Sequence, residues 1–462
     1  MNSININPKI LEEYKMKLFK ELVKSVWYEE IEKIEEIPIK VLGDSEIDKF
    51  DNETIINLMR VIMGLDPTDK FDNSLVEMLN ESINLKEINT PIISIIKQAC
   101  KHCDKNSKEG ACLIKNKHSN CNETNTCNAC GECISKCSLG AISDKIQFIP
   151  MVNLLKEETC PVYAIVAPAF VGQFGTEATP GKLRTALKKV GFEDMIEVAL
   201  AADMLTAKEA YDYCDHMKNH EDGYYITSCC CPIWVGLIQS SFPEILENVS
   251  PSVSPMIACG RAIKILNPNA KVVFIGPCIA KKKEATIEDI KDAIDFVLTF
   301  KELEEIFNAL EINPSELEEE NRVEASYSGR VYARAGGVSK AIQLSAERIN
   351  KDIKFIPQLF AGVKDCKDGL QKVINKEIDA TFIEGMGCVG GCVGGPKRIL
   401  NVEEGTKNVN EYSENTKIET PFDNLNVLQF LTAMGIKKVE SLGEKEEEQI
   451  LKIFSRDIKN SK

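Results

Sequence analysis

The chain has 462 residues, 44% of them hydrophobic, which is enough to bury the cores of roughly two to four domains. Its formal net charge of -15 excludes a phosphate backbone as partner, since nucleic-acid binding rests on clustered Lys and Arg. No stretch approaches the roughly 20 apolar residues of a membrane span, and the N-terminus lacks the basic-then-apolar layout of a secretory signal. The expectation is therefore a soluble, cytoplasmic protein without nucleic-acid or membrane partners. In that reducing compartment its 18 cysteines point to metal ligation or thiol chemistry and not to disulfides.

Residues 1–95 carry no cysteine and read as amphipathic helices, for example over Ile10–Trp27 and 52–63, where apolar residues recur every three to four positions. No chemistry is assigned to them. Residues 96–150 hold Cys100, Cys103, Cys112, Cys121, Cys127, Cys130, Cys133 and Cys137 in a polar stretch too poor in large apolar side chains to form a core without metal. Cys127, Cys130, Cys133 and Cys137 stand in TCNACGECISKCSLGA, a C-x2-C-x2-C-x3-C run. That run sends three thiolates to one cubane cluster and the fourth to its neighbour. By the same crossing-over logic, Cys100, Cys103 and Cys112 pair with Cys137, while Cys127, Cys130 and Cys133 pair with Cys121. Two zinc sites are the competing reading, but tetrahedral zinc prefers paired C-x2-C knuckles. Two accessory 4Fe-4S clusters are the better fit.

From about residue 161 the texture changes to buried strands alternating with helices. Strands are expected over 162–167, 224–226, 271–275, 331–332 and 378–383, with helices over 182–190 and from Pro232 and Gly337. This alternation predicts an open, largely parallel α/β core for residues 151–400. In 401–462, the polar, acidic run 402–420 reads as a loop or linker before a short helical tail.

Three more cysteine loops each follow an expected strand: ITSCCCPIW with Cys229, Cys230 and Cys231, FIGPCIAKKKEA with Cys278, and FIEGMGCVGGCVGGP with Cys388 and Cys392. In an open α/β sheet such loops converge at the carboxyl ends of the strands, so four sulfurs from three loops can surround one 4Fe-4S cube. Pro232 suits the first helical position and leaves the preceding cysteine at a positive helix end, which favours a thiolate. Gly387, Gly390, Gly391, Gly394 and Gly395 permit tight turns around a bulky group, and Met386 offers a polarizable wall.

These three loops, in this order and downstream of a ferredoxin-like segment, resemble the signature motifs of the iron-only (FeFe) hydrogenases over roughly residues 100–400. The resemblance implies an α/β fold, α+β overall, with an H-cluster core of two α/β lobes, a ferredoxin-like two-cluster domain before it and a helical N-terminal region. It also implies the H-cluster itself, a 4Fe-4S cube joined by one thiolate to a two-iron unit carrying carbon monoxide, cyanide and a dithiolate amine. Cys278, Cys388 and Cys392 match ligand positions, with Cys392 the bridging one. Lys281 matches the residue that hydrogen-bonds a cyanide, Glu284 supports that motif, and Met386 matches the methionine beside the bridging carbonyl. Ala167 and Pro168 match the lining of the bridging amine, and Pro255 the pocket wall.

The first loop has three cysteines where two are usual. Counting back from Pro232 makes Cys231 the ligand and Cys230 the proton-passing thiol; counting forward from Thr227 makes them Cys230 and Cys229. The uninterrupted helix after Pro232 favours the first register. Ser138 in place of the usual proline, GGPKR after Cys392, and Met256 where glutamine is common mark a divergent branch. Family correspondence further implies a proton path through Cys230, Glu209, Ser250 and Asp212, the two acids being three residues apart on one helical face. A solvated helix face is the bland alternative for them.

Cys160, Cys214, Cys259 and Cys366 match no ligand position and read as small buried hydrophobes. The resemblance names hydrogen and protons as substrates, a ferredoxin-like carrier as electron partner and hydrogenase maturases as builders of the cofactor. A hydrogen sensor or low-activity relative on the same scaffold and an iron-sulfur assembly carrier are the competing functions. The PCIAKKKEA loop argues against the carrier.

Overall fold

The computed structural model describes residues 9–43, 50–85, 87, 90–103, 127–157, 159–220, 223–227, 230–444 and 447–459. Cys112, Cys121 and Cys229 lie outside them. The chain forms two compact units, one of Met1–Thr159 with Lys301–Asn313, the other of Cys160–Phe300 with Pro314–Lys462.

In the first unit, helices Ile10–Trp27, Asn52–Ile62 and Leu75–Ile83 present apolar stripes to a common core. Asp51 caps the second by accepting from Thr54 N, and Ser74 with Glu77 forms a capping box on the third. Strands β1 (Ile93–Ile95) and β2 (Ile142–Asp144) pair antiparallel and so close the two ends of the cysteine-rich segment on each other. The Lys15 ammonium, 1% exposed, reaches this junction and donates to the Asp144 carbonyl at 2.6 Å and its carboxylate at 3.3 Å.

The second unit holds two all-parallel sheets. Strands β3 (Val162–Val166), β4 (Asp194–Glu197), β6 (Lys271–Gly276) and β7 (Phe296–Thr299) form one in the order β4-β3-β6-β7. Strands β5 (Tyr225–Ile226), β8 (Pro357–Ala361) and β9 (Phe382–Met386) form the other in the order β5-β9-β8. The runs VVFI and FVLT are apolar at successive positions because helices cover both faces of a parallel sheet. Two α/β lobes thus stand where the sequence placed them.

Three local expectations need correction. Residues 331–332, expected as a strand, belong to a 3-10 turn, Val331–Ala333, directly after the short helix Tyr327–Arg330. The strand expected over 378–383 runs instead over Phe382–Met386. The stretch expected as a linker from 402 is helical over Val402–Glu414, with Asn401 accepting from Glu404 N at 2.9 Å. Only Gly405, Val409 and Ser413 of that helix are buried, so its composition looks like that of a loop. Strands β4, β7 and β8 were not foreseen; each has four or five residues, and β8 begins with a proline.

The Val402–Glu414 helix is fastened through buried charge. Tyr412 OH donates to Glu197 Oε1 at 2.8 Å, and the Arg330 guanidinium lies 3.8 Å over the Tyr412 ring. Burial, and then the neighbouring Glu324 carboxylate, push Glu197 up to about 7. A carboxyl group raised in the folded state holds its proton after the unfolded chain has lost its own, so stability falls as pH rises between 4.5 and about 7. Urea titrations across that window are expected to show this loss, on the order of 1–3 kcal/mol, and Glu197→Gln is expected to flatten it.

Candidate functional site

Strands β5, β6 and β9 all deliver a cysteine loop at their carboxyl ends. After β6 comes Pro277, then Cys278, then the short helix Ala280–Glu284. After β5 the chain reaches Cys230 and Cys231, with Pro232 opening the helix Pro232–Ser241. After β9 come Cys388, a glycine turn and Cys392.

The loops are keyed to one another by backbone approach. A Cβ on Gly385 would stand 2.1 Å from the Trp234 ring, and one on Gly387 would stand 2.7 Å from Ile233, so only glycine lets β9 lie against the first loop's helix. Trp234 Nε1 donates to the Thr227 carbonyl at 2.9 Å, turning that loop back over β5. Gly390 and Gly391 adopt φ of +86° and +87°, and a Cβ on Gly391 would stand 2.5 Å from Ala335 N. The Glu384 carboxylate, fully buried, accepts from Gly336 N at 2.9 Å and from Ser339 N and Oγ at 2.7 and 2.6 Å. Ala335 N in turn donates to the Gly390 carbonyl at 2.9 Å, so Glu384 anchors the segment against which the Cys392 loop rests.

Cys231, Cys278 and Cys392 come within electrostatic reach of one another. Burial and then the Cys231 sulfur push the Cys278 thiol up to about 11. Burial and then the Cys278 and Cys231 sulfurs push Cys392 up to about 12. Sulfurs that resist ionising together are poised for metal, which supplies the missing positive charge. Among the described residues, no three His, Cys, Asp or Glu side chains converge on one ion-sized point. Gly387 N donates to Cys231 Sγ at 3.2 Å, the kind of bond that tunes a ligating sulfur.

Lys281 Nζ is 2.6 Å from Glu284 Oε2, both side chains buried. Burial opposes the ammonium, but Glu284, Cys278 and Cys392 together outweigh it and hold Lys281 above its ordinary range. Cys230 Sγ lies 3.7 Å from Met386 Sδ. Ala167 N donates to the Ile275 carbonyl at 2.9 Å, which puts Ala167 and the Pro168–Phe170 turn beside the end of β6. Pro255 opens the helix Pro255–Leu266 beneath a Ser254 cap and is buried.

The acids fall on the helix Val198–Asn219. Glu209 is wholly buried and accepts a short hydrogen bond from Ser250 Oγ. Burial raises its pKa, and Ser250 and Lys208 act against that rise. Asp212, 8% exposed, does not touch Ser250 directly in the hydrogen-bond pattern; Lys208 stands between, donating to Asp212 Oδ2 at 2.6 Å and Ser252 Oγ at 3.3 Å. Sequence reasoning missed Lys208, Ser252 and Glu384. The first had a signal, a lysine four residues before Asp212 on one helix face.

In the first unit, Cys100 lies within the 3-10 turn Ala99–His102 and Cys103 directly follows it. Burial, then the Cys130 and Cys127 sulfurs, push Cys133 up to about 12, so these three thiols also converge. Gly131, at φ +77°, turns the chain from Cys130 into the helix Glu132–Lys136, after which Cys137 follows. Cys214, Cys259 and Cys366 are buried, Cys366 Sγ donating to the Met386 carbonyl at 3.3 Å, and Cys160 is half-buried.

With this geometry in view, the family model for the iron-only hydrogenase large subunit, C-terminal domain, matches residues 160–396. The chain belongs to the iron-only hydrogenase family. It is 29% identical to Iron hydrogenase 1 of Clostridium pasteurianum, covering 56% of this chain and 53% of that protein. It is 25% identical to the NADP-reducing hydrogenase subunit HndD of Solidesulfovibrio fructosivorans, covering 58% and 55%. The chain therefore spans about half the length of these relatives. A variant of the FeFe-hydrogenase HydA1 from Chlamydomonas reinhardtii shares the fold, with a TM-score of 0.52 at 19% identity over 64% of this chain and 93% of that one. The matched residues contain all three cysteine loops. Iron-sulfur clusters and an H-cluster are the cofactors the family implies.

Gly391→Ala sets a side chain against the Ala335 backbone at positive φ, a strain of about 1–3 kcal/mol. Expected is a folded chain by circular dichroism whose iron and acid-labile sulfide content falls by one cube; full loading would show that the turn is not needed to seat it.

Proposed function

We propose that this chain interconverts hydrogen with protons and electrons at an H-cluster. The cube would be held by Cys231, Cys278, Cys388 and Cys392, with Cys392 bridging to the two-iron unit. The observation that carries this reading is the convergence of the Cys231, Cys278 and Cys392 sulfurs beside a buried, positively charged Lys281. When bound, the group would supply redox-active iron and an amine base. The protein's residues supply the rest. Lys281, kept charged by Glu284, donates to an anionic cyanide. Ala167, Pro168, Pro255 and Met386 wall off water around the reacting atoms. Cys230 passes protons between the site and Glu209, from which Ser250 and Asp212 lead outward. The Ser250–Glu209 hydrogen bond supports that relay, and Cys230 rather than Cys229 is its inner member because Pro232 opens the helix directly after Cys231.

Residues 96–150 are the proposed ferredoxin-like domain, with two 4Fe-4S clusters held by the eight cysteines from Cys100 to Cys137, Cys112 and Cys121 among them. Through these clusters a ferredoxin-like carrier exchanges electrons with the catalytic domain, residues 151–400, after cytoplasmic maturases have installed the cofactor. Residues 1–95 form a helical region without assigned chemistry, and 401–462 complete the chain.

Infrared spectroscopy of anaerobically matured protein tests this reading, because metal-bound carbon monoxide and cyanide absorb where protein does not. Bands that shift under hydrogen are expected; their absence, with the same maturases activating another hydrogenase alongside, leaves an iron-sulfur carrier as the better account. Cys230→Ala is expected to keep the bands and lower turnover by about 100-fold or more, whereas Cys278→Ala is expected to lose them. The reverse pattern would exchange the two roles.

A further inference from the structure

Beyond the four relay groups, the helix Val198–Asn219 carries a buried cation, Lys208. Lys208 is 5% exposed and lies one residue before Glu209 and four before Asp212. Its Nζ donates to Asp212 Oδ2 at 2.6 Å and to Ser252 Oγ at 3.3 Å. Ser252 N donates to Ser250 Oγ at 3.2 Å, and Ser250 Oγ donates to Glu209. That orientation commits the Ser250 proton to the inner carboxylate and one lone pair to the Ser252 amide.

The position of Ser252 is set by the C-terminal tail. Ser252 bridges antiparallel to Ser455, with Val253 N donating to the Phe454 carbonyl and Arg456 N to the Pro251 carbonyl, both at 2.9 Å. The tail also supplies Leu442, Ile450 and Ser455 to the wall of a cavity of about 380 Å³, onto which Lys208 and Asp212 face. These tail residues lie outside the 160–396 match. Around the cavity the ionisable groups are Asp215, His216 and His220 from the same helix, Tyr225 from β5, Glu247 from the turn before Ser250, and Glu444 from the tail.

We infer that Lys208 is the positioning cation of the proton relay, tying Ser252 to Asp212 and holding the Asp212 carboxylate toward the cavity, which is where protons enter and leave. This rests on the hydrogenase reading above. The Lys208 ammonium fixes the Asp212 carboxylate at 2.6 Å on the cavity wall and acts against the burial that raises Glu209. A lysine needed for folding alone would let a folded uncharged variant turn over at the full rate.

The test reads carboxyl infrared bands of the full-length chain without its clusters, in heavy water, as pH is varied. Asp212→Asn and Glu209→Gln assign the bands. In Lys208→Met, and in Lys208→Gln as a second variant should the first fold poorly, the assigned Glu209 carboxyl is expected to titrate at least about one pH unit higher. Lys208→Arg is expected to restore it. In matured protein, hydrogen evolution from a reduced viologen is expected to fall about tenfold in the uncharged variants, with the pH profile displaced the same way, and to recover in Lys208→Arg. Carboxyl bands that do not move in the uncharged variants overturn the Lys208 assignment alone. So does full turnover in those variants despite moved bands. Absence of carbonyl and cyanide bands in the unaltered matured chain overturns the hydrogenase reading instead.

Discussion

Gathering several cysteine sulfurs in a protein interior is opposed by two effects of the same sign, the loss of water around each thiolate and the repulsion between neighbours. Both act on Cys278 and Cys392, whose thiols are pushed up to about 11 and about 12. The loops therefore cannot be held together by the sulfurs and must be brought together by something else. Two parallel sheets carry them, β5 and β9 side by side in one and β6 central in the other, each strand fixed by main-chain pairing along its sheet. Trp234 against Gly385, Ile233 against Gly387 and Ala335 against Gly391 then fix the loops to within van der Waals distance. The same logic recurs on a smaller scale at Cys127, Cys130 and Cys133, where pairing of β1 with β2 closes the segment that carries them.

A second constraint is the charge buried along Val198–Asn219. Asp203 accepts from Ser326 N at 2.7 Å and Asn424 Nδ2 at 2.9 Å, and burial still pushes it up to about 6. Glu209 takes Ser250, and Lys208 takes Asp212 and Ser252. Apart from Asp212, the partners come from outside the helix, so the cost of desolvating these groups becomes a requirement that residues 250–252, 326 and 424 all reach it. Removing one partner leaves an uncompensated polar group inside, which is more costly than the bond is favourable. The helix is thus a shared anchor for the second unit and the backbone of the proposed relay.

Family likeness ends at residue 396, but the surroundings of the site do not. Gln173 Oε1, close after the Pro168–Phe170 turn, accepts from Ile399 N at 2.8 Å and Leu400 N at 3.1 Å. Tyr412 packs edge-on against Phe170 at 6.1 Å and bonds Glu197. The tail pairs with Pro251–Val253 through Phe454 and Arg456. These later segments pack behind the Pro168–Phe170 turn and beside Ser252.

Cysteine spacing, glycine placement and proline at a helix start are local chemistry, and they were legible without coordinates: the eight-cysteine segment, the three loops, the two α/β lobes and the acids on one helix all came from the order of residues. The helix Val402–Glu414 was hidden because it buries a narrow stripe on an otherwise polar surface. Strands β4, β7 and β8 were hidden because a strand of four or five residues carries too little pattern to separate from a turn. The sequence by itself determined which residue types are available to hold iron and carry protons. Only the tertiary structure decided that Lys208 stands between Ser252 and Asp212, and that Glu384 braces the Cys392 loop. Both contacts join residues more than 40 positions apart, and no local preference of the chain encodes such a distance.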